Sequence, residues 1–546
     1  MTITITVLSE GKKIDQVYQV VSVDVRREVN RIPEASLALL DGDATQRKFD
    51  LSNAPDFEPG KKLEIQAEYQ GAPASKATLF TGHIVRHRVK ADAKASVLIL
   101  EARDAAFKLT GARKSAVYKD QDDAKIISAI LKESGVGEGA IAATKAPHKQ
   151  MVRFNATGWD FILTRAEANG LWVVADEGKV STVDPRSATG QAKHTFEYGA
   201  SEIFDVELEA DGGDQLGEVK SSGWDIQQQK PTKAAEAKAF ALSQGNLDGK
   251  KVAGALGGAA FALSHPVPLA PEELQAWADA RLMRSRMSLL RGRLSTPGFG
   301  DLKLVDVMKI EGIGKRFNGS TLVTGICHRV DALGWRTDIQ FGVSARSFSR
   351  EEGISEPPAA GLLPAVGGLQ IGVVDKFEED PEKEFRVKVI LPGIDAKTGL
   401  VWARLAAPDA GKNRGWFFRP ETGDEVVLGF FNDDPRQAVI LGGLYSSKNT
   451  PPENYAKLAQ ENQNKAIVTK TGTTFGFIDD KKGSVFIETA GGARLLIDDS
   501  AKKIELIDQN GNELKMDDKG ISLKSAKDLK FEGANVEIKG SKVDIK

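Results

Sequence analysis

The chain has 546 residues, with 74 Lys+Arg against 76 Asp+Glu and a formal net charge of −2. That balance removes any bulk electrostatic case for nucleic acid or an anionic membrane, and the length allows about three or four domains. A single cysteine, Cys327, excludes an internal disulfide framework and suits a reducing compartment.

The opening Met-Thr-Ile-Thr-Ile-Thr-Val alternates like a strand and lacks the basic-then-apolar layout of a secretory signal. No apolar run approaches the roughly 18 residues of a membrane-spanning helix. The expectation is a protein made in the cytoplasm without a signal peptide. Residues 1–110 read as β-rich, with β-formers at 36–40, 62–69, 78–85 and 96–101 and turns at Asp41-Gly42 and Pro59-Gly60. Asp122 and Asp123 then open a helix whose stripe is Ile126, Ile127, Ile130 and Leu131, stopped at Gly135. A second helix is predicted from Trp159 to Asn169, ended by Gly170, then a strand at 171–175.

Strands resume at 204–208 and 219–224, and residues 228–258 read as an exposed, flexible excursion. Its Gly254, Gly257 and Gly258 resemble a phosphate loop only superficially, lacking the Gly-Lys-Ser/Thr ending and a preceding strand. A long helix is predicted from Ala-Pro-Glu-Glu at 270–273 to about Leu290. Arg281, Arg284, Arg286, Arg291 and Arg293 read as its solvated face or a subunit contact, since no aromatics interleave with them. More strands lead to Val343, and the paired prolines and small residues of 347–364 read as a linker. Five short strands at 370–375, 385–391, 401–406, 425–431 and 438–444 suit a small Greek-key barrel such as an OB-fold.

The last stretch organises the rest. Val485/Ile487, Leu495/Ile497, Ile504/Leu506, Leu514/Met516, Ile521/Leu523, Leu529/Phe531, Val536/Ile538 and Val543/Ile545 are apolar pairs at i and i+2, the last four spaced by seven or eight residues. Period-two alternation predicts short strands with one dry face, here as a repeat array. A single strip of two-residue faces is too thin to offset the entropy of ordering its backbone and leaves open edges. Three copies around one axis would bury every apolar face and pair the strand edges, so an intertwined trimeric β-prism is expected. Asp479/Asp480, Asp498/Asp499 and Asp517/Asp518 recur every nineteen residues. Followed by lysines and punctuated by glycine, they read as solvated turns rather than catalytic or metal-binding acids.

Nothing else resolves into an active site. No carboxylate pair sits in an apolar, cleft-like segment of the kind a glycosidase needs. Cys327 and His328 are adjacent on a predicted strand and so point to opposite faces. His83 and His87 have a helical metal spacing, but on a strand they stand about 13 Å apart. His148, His194 and His265 have no ligand partners in register. No catalytic residue, metal or cofactor is expected.

Several stretches resemble the VgrG family, the spikes of contractile injection systems: type VI secretion, phage-tail-like particles and contractile phage tails. Gly372-Val373-Val374-Asp375, Phe385-Arg386-Val387-Lys388-Val389, Leu391-Pro392-Gly393 and Trp402-Ala403-Arg404-Leu405-Ala406 are similar to the first half of its OB-fold. Gly415-Trp416-Phe417-Phe418-Arg419-Pro420-Glu421, Gly423-Asp424-Glu425-Val426, Asp434-Pro435 and Val439-Ile440-Leu441-Gly442-Gly443-Leu444-Tyr445 continue the likeness. Phe80-Thr81-Gly82-His83-Ile84-Val85, Trp159-Asp160-Phe161, Arg165–Leu171, Gly223-Trp224-Asp225, Phe317-Asn318-Gly319 and Trp335-Arg336-Thr337 resemble its hub, and the tail its needle. Size and undecorated ends look most like spikes of extracellular phage-tail-like particles.

The resemblance implies a mainly β homotrimer with a few helices. Residues 1–345 would form a hub of two related barrels with helical insertions, 346–367 a linker, 368–450 the OB-fold, 451–468 a connector and 469–546 a triple-stranded β-helix needle. The eight apolar pairs would be its trimer core. The hub would adapt threefold symmetry to the inner tube protein hexamer among baseplate proteins, and the needle would meet a target membrane transiently. The connector leaves no room for a lysozyme domain between OB-fold and needle. The end at Val543, Ile545 and Lys546 would be capped by a separate PAAR-like tip protein. Two other classes are weaker. A β-helical tail fibre or depolymerase would need an aromatic-acidic groove, and the needle has only Phe486 and Phe531 beyond Phe477. An OB-fold nucleic-acid binder would stack bases on Trp402, Trp416 and Phe417, but Glu378, Glu379, Asp380, Glu382 and Glu384 lie nearby.

Overall fold

A computed structural model describes the chain apart from Met1, Gln16, Ala44, Ala93, Lys94, Thr189, Ile226, Ala241, Ala259, Val267, Leu363 and residues 351, 352 and 355–357. Part of the expected linker therefore lies outside the described residues. The chain separates into two compact units, Met1–Glu356 and Pro357–Lys546.

In the first unit alternating apolar residues make strands with one buried face. Val23 and Val25, Ala35, Leu37 and Leu39, Leu63, Ile65 and Ala67, and Leu98, Leu100 and Ala102 point into one core. The strands join a thirteen-stranded sheet whose halves meet where Gly319–Asp331 pairs antiparallel with Val20–Glu28. Val330 and Trp335 thereby enter the core built by the first hundred residues. A second core gathers Leu294, Met308, Ile310, Val323, Ile326, Ile339 and Phe341. Among the described residues the hub strands form one continuous sheet around two cores. The strand 319–331 joins its halves by pairing on both sides.

Helix α1 (Asp123–Glu133) is capped by Asp122, whose carboxylate accepts from Lys125 N at 3.0 Å. Helix α2 (Gly158–Ala168) is capped by Thr157, which accepts from Asp160 N at 3.0 Å. Their apolar stripes pack together with Leu171, Val173, Ala175 and Val180. The stretch 228–258 departs from the expected flexible excursion. It contains helix α3 (Gly249–Ala255), capped by Asp248, while Leu216, Ala237, Phe261 and Leu263 pack on Val219, Ala278 and Leu282. Helix α4 (Pro271–Met287) ends before the predicted Leu290, which opens the strand Leu290–Pro297. Its arginines are not a solvated face. Arg284 pairs with Glu167 at 2.5 Å, Arg291 with Glu209 and Asp211 at 3.1 Å, and Arg293 with Asp205 at 3.0 Å. Arg286 Nη1 donates to Gln215 at 3.2 Å, and Arg281 lies over the ring of Phe261. Carboxylates distant in sequence neutralise what reads as a basic stripe.

In the second unit Gln370–Val374, Val387–Ile390, Leu400–Leu405, Ala438–Gly443 and Glu425–Phe430 close into a five-stranded barrel. Val374, Val387, Val389, Leu391, Ala403, Val426, Leu428 and Ile440 fill it. After a short helical turn, α5 (Glu453–Ala456), comes a seven-stranded antiparallel meander from Asn464 to Lys524.

Within one chain the apolar pairs stay uncovered. Ile521 of the meander is exposed, as are Phe531, Ile538 and Ile545 beyond it, Ile538 at 68%, and the sequence pattern assigns all four to a core shared by three copies. The reason is geometric. A meander is one layer thick, and a layer has no second layer of its own to bury its apolar face against.

Candidate functional site

The meander turns the apolar pairs into a surface. Successive strands pair in register, so Ile467, Phe475, Ile487, Leu495, Leu506, Leu514 and Leu523 stand opposite one another in a column. A second column on the same face runs Lys465, Phe477, Val485, Ile497, Ile504, Met516 and Ile521. Six gaps of roughly 4.8 Å give each a length of about 29 Å. Most of these side chains are half-exposed in a single chain, Ile504 at 42% and Ile521 at 73%. So large a contiguous apolar face marks a binding surface.

The other face is finished within the chain. Phe486 lies over Gly476, Leu496 is buried beside it, and Arg494 stacks on Phe486 at 5.3 Å. Further along, Glu505 stands directly opposite Lys515. The turns explain the nineteen-residue recurrence. Gly472, Gly492 and Gly511 take φ near +90° on one edge of the sheet, and the Asp-Asp pairs fall on the other. Asp480 accepts from Lys482 N and Gly483 N, Asp498 from Ala501 N, and Asp517 from Lys519 N. Those backbone donors hold Asp480 and Asp517 below the usual carboxylate range, opposite to the shift a general acid needs.

Three features of the needle go beyond the sequence pattern. Strands begin at Asn464, inside the expected connector 451–468. The sequence hid Asn464–Val468 because Lys465 interrupts its apolar pair, whereas Thr474–Ile478, within the expected needle, carries the i, i+2 pair Phe475/Phe477. Within the single chain, the strands from 464 to 524 pair with one another edge to edge. Finally, the last three pairs lie in no strand of the single chain: Leu529 with Phe531, Val536 with Ile538, and Val543 with Ile545. They repeat every seven residues, and exposure rises along them from Phe531 through Ile538 to 89% at Ile545. No neighbouring strand of the same chain follows Gly520–Lys524, so this segment has no ladder partner.

Of the other sequence candidates, His87, His148, His194 and His328 each have a partner, whereas His83 Nδ1 is buried without one. His328 is buried with Nδ1 3.0 Å from Thr337 Oγ1, while Cys327 points the other way and burial raises its thiol. His87 Nδ1 lies 3.1 Å from the Phe57 carbonyl, and burial lowers His83. His148 meets Asp123 at 3.1 Å and His194 meets Asp301 at 3.0 Å. Among the described residues no group of three His, Cys, Asp or Glu could hold a metal, and no helix is long and apolar enough to cross a membrane. Trp402 sits under Arg386, whereas Trp416 and Phe417 are exposed on a loop.

Residues 370–445 match the type VI secretion system/phage-baseplate injector OB domain, and residues 484–546 match the phage baseplate V C-terminal trimerisation domain. Residues 1–332, more than half of the chain, match the Alg8 N-terminal domain. The chain belongs to that family. It is a VgrG-like spike protein, its half-exposed double column falling largely within the trimerisation domain. The type VI secretion system spike protein VgrG1b of Pseudomonas aeruginosa is 31% identical over 223 residues, 38% of this chain and 29% of that protein. The actin cross-linking toxin VgrG1 of Vibrio cholerae is 33% identical over 96 residues, 16% of this chain and 9% of the toxin. The spike-like chain thus spans less than a third of these curated relatives. A tail protein from Neisseria meningitidis matches 64% of this chain and 98% of its own, at 13% identity and a TM-score of 0.47.

Proposed function

We propose that three copies form the rigid hub and needle of a contractile injection system. The hub, residues 1–345, meets the inner tube protein hexamer within a ring of baseplate proteins. The OB-fold, 368–450, forms a collar, and the needle breaches a target membrane. The work is mechanical, not catalytic. A narrow prism concentrates force on a small area, and its ladder bonds must break together under shear.

The observation that carries this reading is the double apolar column, open in one chain and matched to a trimerisation domain. Three such faces around one axis would bury each other, each side chain contributing roughly 1.5–3 kcal/mol on full burial. Residues 525–546, lacking partners in their own chain, would complete their ladders with the other two copies and there bury Phe531 and Ile538. A PAAR-like tip protein would sit on Val543, Ile545 and Lys546, whose apolar members are exposed. The protein would act in an assembled, released or secreted particle. Light scattering is expected to give about three times the 58.8 kDa chain mass. Ile504→Asp should release monomers or aggregates, whereas a well-folded wild-type monomer at micromolar concentration would sink the proposal.

A further inference from the structure

The collar carries an aromatic surface beside the foot of the needle. Its hairpin, Ala410–Gly411 and Arg414–Gly415, is held by Arg414 donating to both carboxylate oxygens of Asp409 at 2.6 and 2.7 Å. Trp416 N donates to the Asp409 carbonyl at 2.8 Å, so the loop that follows is anchored at its start. It presents Trp416, Phe417 and Phe418 in succession, Phe417 being 71% exposed. The Arg419 guanidinium carbon lies 5.1 Å from the Phe417 ring centre and 5.6 Å from that of Phe377, tying the two together. Phe377, Arg419 and the 84%-exposed Phe385 line a groove of about 360 Å³.

Position supplies the occupant. Glu421, two residues beyond Arg419, accepts from Lys470 Nζ at 2.9 Å. Lys470 belongs to the turn between the first two needle strands, whose Ile467 and Phe475 head one apolar column. The loop's base is therefore tied to the foot of the needle by this ion pair.

We propose that this loop is an inter-subunit contact, with Trp416, Phe417 and Phe418 of each copy buried against the collar of a neighbouring copy. The inference rests on the trimeric reading. A needle closed around a threefold axis brings three collars to that axis, and a threefold contact is heterologous, so each loop meets a different surface of the next copy. Aromatic rings with one guanidinium have the composition of interface anchors. The groove wall sets Lys383, Arg386, Lys388 and Arg419 against Glu378, Glu379 and Asp380, a near-balance without the marked basic excess that a phosphate backbone needs.

Photocrosslinking tests it in the full-length protein, with Phe417→p-benzoylphenylalanine and, separately, Ile504→p-benzoylphenylalanine as the needle control. After irradiation both variants are expected to give covalent dimer and trimer bands on a denaturing gel. Bands from position 504 with only monomer from 417 would overturn the collar contact while leaving the trimer standing. Silence at both positions, with a monomeric mass in solution, would remove both. In assembled particles, a crosslink from 417 to another particle protein and none to this chain would also overturn it.

Discussion

The ring of Phe486 occupies the space above Gly476 on the neighbouring strand: a Cβ placed on Gly476 would fall 2.3 Å from Phe486 Cζ. The two residues are directly paired, on the face of the meander opposite the apolar columns. That contact closes the outer surface near the base of the needle and explains why glycine stands in the middle of a strand.

Gly476→Val should therefore push the Phe486 ring off its seat, costing about 1–3 kcal/mol per chain as overpacking. The check is the denaturant midpoint of needle unfolding in the intact protein. An unchanged midpoint would mean that the ring has room elsewhere.

His328 should make the hub sensitive to mild acid. Burial, with a smaller push from Arg27, lowers its pKa to about 3. The unfolded chain takes up this proton near pH 6.5 while the folded chain resists until about 3, so this contribution to stability falls as pH drops through that window and is flat above it. The slope is at most about 1.4 kcal/mol per pH unit. His328→Asn, which cannot titrate, should flatten urea midpoints measured between about pH 4 and about pH 7. A slope identical to wild type would assign the acid sensitivity to other groups.

Asp123 should behave as the anchor of the helical layer. Arg165 donates to it at 2.7 and 2.9 Å and to Glu273 at 2.9 Å, while Asn169 adds a bond to Asp123 at 2.8 Å. Burial alone would raise this carboxyl, but Arg165, Asn169 and His148 outweigh it and hold the group below its ordinary value. Its contribution is thus present above the ordinary carboxylate pKa and lost as pH falls from there through the depressed one. Asp123→Ala leaves Arg165 short of its main partner and should cost about 3–5 kcal/mol, read as a lower thermal midpoint of the hub.

Much of the second unit was legible locally. The five barrel strands and the pairs from Val485 to Leu523 follow from alternation alone, because side chains two apart on a strand share a face whatever the strand pairs with. The same alternation marks Ile538 as a core residue, yet it stays exposed in one chain, since a local pattern says which side is apolar and not what covers it. The first needle strand was hidden by Lys465, and the reason a glycine stands at 476 in the second, the Phe486 ring, lies on another strand. The arginines of α4 and the following strand read as solvent-facing because Glu167, Asp205, Glu209 and Asp211, which pair with Arg284, Arg291 and Arg293, are distant in sequence.

By itself the sequence determined where the needle's dry face and corners fall, since alternation and turn chemistry are properties of a few adjacent residues. Only the tertiary structure decided which edges pair. It folded 464–524 into a meander within one chain, left 525–546 without a ladder, and joined residues 20–28 to 319–331 across the hub. Pairing is settled by which partner is brought within hydrogen-bond reach once the cores close, and that depends on the whole chain at once.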